Sequence, residues 1–83
     1  MEMITQGVTE NQLVIETRWT EVRAIRDAKL KGADTLINTV TDMGADDVVY
    51  RQYRQALRDI PQTFSNPDEV IWPQKPSLPQ SSL

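Results

Sequence analysis

The side chains of this chain that could do chemistry are carboxylates, guanidiniums and two indoles, because it contains neither histidine nor cysteine. Three carboxylates gather around one glycine in Asp42-Met43-Gly44-Ala45-Asp46-Asp47. A calcium loop needs six or more oxygens at fixed offsets and a distal glutamate, a pattern this segment lacks. Glycine and aspartate are the usual residues of turns and caps, and the segment is expected to be a turn. Carboxylates alone can serve as acid and base only inside a cleft that shifts their pKa values. A chain of 83 residues is poorly suited to build one. No glycine-rich phosphate loop occurs, and no nucleophile stands beside an evident base. Catalysis is therefore not expected, nor is a cofactor or a metal site.

What remains is binding chemistry. Arg51, Arg54 and Arg58 fall on one helical face. They could form a basic ridge, but a solvated face with local pairs such as Asp47–Arg51 and Asp47–Arg54 is the favoured reading, because such pairs are common and weak. Trp19 lies on an apolar helical stripe and is expected in the core. Two readings of Trp72 stay open. It could fold back onto the preceding helix, or it could anchor a partner, since tryptophan is enriched at interface hot spots. Pro73, Pro76 and Pro79 recur every third residue, the polyproline II period. This tail is either plain disorder or a linear segment for an aromatic-lined groove.

The size of the chain favours association. So short a domain buries little of its surface and is marginally stable alone. Without cysteine, disulfides are excluded, and a partner chain is the remaining common device. The net charge of −3 argues against nucleic acid, which calls for a basic surface. No apolar run approaches a membrane span. The opening Met1-Glu-Met-Ile-Thr-Gln-Gly7 lacks the basic and apolar regions of a signal peptide, so the chain is expected to stay where it is made.

The elements that must position these residues are helical. Residues 1–8 read as a flexible lead-in. Thr9-Glu-Asn-Gln12 fits a capping box, with Val8 and Leu13 placed for a hydrophobic staple. Ile15, Trp19, Val22, Leu30, Ala33, Ile37 and Val40 then form one stripe, interrupted by Arg26 and Lys29. Either one helix runs from about residue 9 to 41, or it ends near Gly32. Helix over 17–31 is the favoured core of both readings, with Thr17 and Thr20 as alternative caps. Gly44 can end that helix, and Asp46 can cap the next. Val49, Tyr53, Ala56, Leu57 and Ile60 mark the apolar face of this second helix, which stops near Pro61. A turn at Ser65–Asp68 follows, and Val70-Ile71-Trp72 is extended ahead of Pro73. Ser81–Leu83 should fray. The expected fold is mainly α: a helical hairpin over 9–61, then a loop and an extended proline-rich docking tail over 62–83.

Tyr50-Arg-Gln-Tyr53-Arg-Gln-Ala-Leu-Arg-Asp-Ile-Pro61, followed by Val70-Ile-Trp72-Pro73-Gln-Lys-Pro76, resembles the phage tail assembly chaperone family. Tyr50 stands where that family usually has tryptophan. Arg23-Ala-Ile-Arg26-Asp27-Ala-Lys-Leu30 and Asp34 also match a family pattern, and the likeness covers roughly residues 19–76. The family usually continues with tryptophan and a proline-rich loop. Here Asp34-Thr-Leu-Ile-Asn-Thr-Val40 is more helical, which leaves helix or loop open over 33–43. The resemblance implies a helical protein of a tailed phage or prophage whose partner is a tail or tail-fibre protein. It implies a chaperone acting in the host cytoplasm during assembly, or alternatively a permanent virion adaptor in the baseplate or fibre. A homo-oligomer is compatible with both. The expected partner-binding residues are Val70, Ile71, Trp72, Pro73 and Pro76 in the tail, with Tyr50, Tyr53 and Arg54 on the second helix.

Overall fold

The structure is a computed structural model that describes residues 9–79. The lead-in over 1–8, the Val8 half of the staple and the Ser81–Leu83 end lie outside the described residues. The first helix, α1, spans Glu10–Asp42 without a break. Its start is the capping box: Thr9 Oγ1 accepts from the Gln12 N–H at 3.0 Å, and Gln12 Oε1 accepts from the Thr9 N–H at 2.7 Å. Thr17 and Thr20 are not caps; their hydroxyls donate to the carbonyls of Leu13 and Glu16 one turn back. Gly32 and residues 33–42 are all helical, which settles the middle of the chain as helix. Gly32 loses to its neighbours: Ala33, Leu36, Ile37 and Val40 are buried, and that burial outweighs the cost of one glycine.

α1 ends where a second device is written into the sequence. Gly44 has φ of 72°, in the left-handed region. The Gly44 N–H donates to the Thr41 carbonyl and the Ala45 N–H to the Val40 carbonyl. This is a Schellman motif, and Ala45 packs on the Val40 cluster as the motif's apolar contact. The chain reverses, and α2 (Val48–Arg58) returns along the C-terminal half of α1. Asp46 does supply the capping oxygen, to the Val48 N–H at 3.0 Å. Asp47, which occupies the cap position itself, instead holds Arg51 at 2.6 Å.

After Asp59 the chain enters a single turn, α3 (Ile60–Thr63), with Pro61 in its first turn, where a missing N–H costs nothing. A 3₁₀ turn at Pro67–Glu69 follows, capped by Asn66 Oδ1 on the Asp68 N–H at 2.9 Å. Among the described residues there is no strand. The molecule is mainly α, drawn out to 67 × 24 × 16 Å.

Two apolar clusters hold α1 and α2 together. One contains Val22, Ala33, Tyr53, Leu57 and Ile60, flanked by Trp19, Leu30, Phe64, Val70 and Trp72. The other contains Leu36, Ile37, Val40 and Tyr50. The expected face of α2 is corrected at two positions. Val49 is 57% exposed and Ala56 is exposed, whereas Tyr50 is buried. α2 seats itself on Tyr50, Tyr53 and Leu57, because the rings remove more apolar area from water than Val49 and Ala56 would. On α1, Ile15 stays 38% exposed, since it lies beyond the reach of α2.

Candidate partner-binding surface

The extended segment after the 3₁₀ turn does not leave the fold. Val70 and Trp72 pack against the Tyr53–Leu57–Ile60 cluster as half-buried side chains. Lys29 Nζ lies 5.4 Å from the centre of the Trp72 ring, a cation–π distance. This explains the cation that interrupts the apolar stripe of α1. The Lys29 stem covers apolar surface while its ammonium meets the indole face. Arg26, the other interruption, is partly buried and bonds the neighbouring Asp27 through Nε and Nη2 at 3.2 and 3.1 Å.

The proline edge follows the same path. Pro73, Pro76 and Pro79 are each half-buried, whereas Gln74, Lys75, Ser77 and Leu78 between them are exposed. A three-residue period puts one edge of an extended chain against a surface, and here the surface is the helical pair. Tyr50 anchors it: its hydroxyl donates to the Ser77 carbonyl at 2.6 Å. That bond gives the buried ring's polar end its partner and fixes the tail's direction along α2. Beside the tail a groove of about 460 Å³ stays open, lined by Ile25, Ala28, Lys29, Gly32, Tyr53, Pro73 and Lys75.

The residues expected to bind a partner thus fall into two groups. Tyr50 and Tyr53 are buried and support the tail from below. Burial also raises the Tyr53 phenol pKa above its ordinary 10.0. Arg54 is partly buried and reaches across to Asp34 of α1 at 3.2 Å, rather than to Asp47. Val70, Trp72, Pro73 and Pro76 lie on the helical pair with part of their surface free. Ile71, between them, points outward and is 75% exposed. Sequence reasoning did not find Lys29, Ser77 or the groove-lining Ile25 and Gly32. The lysine on an apolar stripe was the one available signal.

Among the described residues no group of side chains could hold a metal ion, and no helix is long and apolar enough to cross a membrane. No curated protein and no solved structure matches the chain. The profile of one family, described as phage tail assembly chaperone protein, matches residues 19–77. That span runs from Trp19 at the edge of the first cluster to Ser77, where the tail is tied to Tyr50. It takes in both clusters and the returning tail, and this chain belongs to the phage tail assembly chaperone family.

Proposed function

We propose that the protein is a chaperone that binds a tail or tail-fibre protein of its phage during assembly in the host cytoplasm, without catalysing a reaction. The family supports the assembly role. The observation that carries the docking surface is Ile71, a large apolar side chain left 75% exposed on a segment otherwise seated on the fold. Trp72 and Pro73 beside it extend the apolar surface, and Lys29 against the Trp72 ring and the exposed Lys75 give it a cationic rim. Tyr50, Tyr53 and Arg54 act indirectly, by holding the tail and α2 in place. Pro76 sits further along the same edge.

The test is capture from infected cells set beside quantitative mass spectrometry of purified particles. A chaperone is found bound to a tail or tail-fibre protein in lysate and is absent from particles. A fixed copy number per tail would overturn this reading and make the chain a virion component. Within the complex, Trp72→Ala is expected to weaken binding by more than ~2 kcal/mol, the level of a hot spot. Because Trp72 also packs on the core, Ile71→Asp serves as the companion variant. It leaves the helical circular dichroism intact and still weakens binding; an unchanged dissociation constant for both variants removes the docking surface from this segment.

A further inference from the structure

α1 carries a second stripe that the other described residues leave uncovered. Val14, Arg18, Glu21, Ile25, Ala28 and Gly32 follow alternating steps of four and three residues, so they share one side of the helix. All six are exposed, Val14 by 48% and Ile25 by 47%. α1 is about 50 Å long and α2 about 17 Å, so α2 cannot cover the N-terminal half. Two concavities lie along this side. One, of about 340 Å³, is lined by Leu13, Val14, Thr17 and Arg18; the other is the groove beside Ile25, Ala28 and Gly32.

The charges along α1 say what fits there. From Glu10 to Glu21 it carries three glutamates, Glu10, Glu16 and Glu21, against one arginine, Arg18. From Val22 to Ala33 it carries four cations, Arg23, Arg26, Lys29 and Lys31, against Asp27. The first stretch is acidic and the second basic. Two such helices side by side repel when parallel and attract when antiparallel.

We propose that this face pairs with the same face of a second copy of the chain, antiparallel, about a two-fold axis between Trp19 and Thr20. In this register Val14 meets Ile25 of the second copy, and Arg18 meets Glu21 of the second copy. Both contacts occur twice, as two-fold symmetry requires. Arg18 lies 3.4 Å from Asp68 with half its side chain exposed, and its guanidinium has donors left for a second carboxylate. Glu10 comes near Lys29 and Lys31 of the second copy. The seam spans residues 10–29 of each chain, about 30 Å. It covers the apolar surface that α2 leaves open and stabilises a stretch of helix that is marginal without tertiary contacts.

The absence of cysteine makes a direct test possible in this chain. Val14→Cys and Ile25→Cys are prepared separately, mixed and oxidised. The expected product is the mixed disulfide, joining position 14 of one copy to position 25 of the other. Positions 14 of the two copies are about 16 Å apart along the seam, and a disulfide spans less than ~7 Å between Cα atoms. Glu21→Arg and Arg18→Glu are each expected to sediment as monomers with unchanged helical circular dichroism. Mixed, they recover the dimer, since each supplies the charge the other lacks. Self-cross-linking of Val14→Cys as efficient as the mixture would overturn the antiparallel register. A wild-type chain that stays monomeric at every soluble concentration, or a charge-variant mixture that fails to recover the dimer, would overturn the pairing itself.

Discussion

Leu57 has no exposed surface and sits where α1, α2 and the returning tail meet, so it concentrates the stability of this small fold. Leu57→Ala is expected to cost about 2–5 kcal/mol, the range for a leucine cavity in a packed core. A shift of the urea midpoint reads it, and a midpoint equal to wild type would refute it. Leu57→Asp goes further, because it buries a charge with no partner, and its helical signal should be lost. Tyr53 makes stability depend on alkaline pH. Its folded pKa is raised by burial above 10.0, whereas the unfolded chain keeps the ordinary value. Its contribution is therefore whole below about pH 10 and is lost as pH rises from there through the raised value. Urea midpoints measured across that range should fall less steeply in Tyr53→Phe than in wild type.

The elements owe their limits to a few backbone positions, and two glycines separate the causes. An added Cβ would meet nothing within 4 Å at either Gly32 or Gly44, so packing does not distinguish them. Gly44 has positive φ, and Gly44→Ala should cost about 1–2 kcal/mol through conformation alone. Gly32 is an ordinary helical position inside α1, and Gly32→Ala should stabilise by roughly 0.5–1 kcal/mol. Thermal melts of the pair, moving in opposite directions from wild type, check both. Equal shifts would mean that the Schellman turn is not what ends α1. The capping box and this turn are the two ends of one 33-residue helix, and both were legible because their residues lie within six positions of one another.

As a whole, the molecule is a long helix half-covered by a short one, with an extended tail closing the seam between them. The tail is part of the fold: Val70 and Trp72 join the core, and Ser77 ties to Tyr50. A chain ending at Ile71 should therefore keep its helices but lose roughly 1.5–3 kcal/mol, the burial of one large apolar side chain. Denaturation of the truncated chain by urea measures this. A midpoint at the wild-type value would show that the tail contributes nothing to the resting fold. The same arrangement keeps Ile71 presented on a defined surface, which is what the proposed docking role requires.

The amino-acid sequence alone determined the helical class, the caps at Thr9 and Gly44, and the apolar stripe through Val22, Ala33, Ile37 and Val40. Those are local signals, carried by side chains and backbone within a few residues of where they act. The length of α1 past Gly32 was open in the sequence, because a weak propensity penalty there was decided by burial against α2. Three further features belong to the tertiary structure: Tyr50 buried in place of Val49, Arg54 paired with Asp34, and Trp72 stacked beneath Lys29. Each joins segments far apart in the chain, 27 residues apart for the bond from Tyr50 to Ser77. Periodicity tells which side of a helix is apolar, but not which distant segment will cover it. That choice is made by the area each candidate removes from water and by whether its polar atoms find partners once buried.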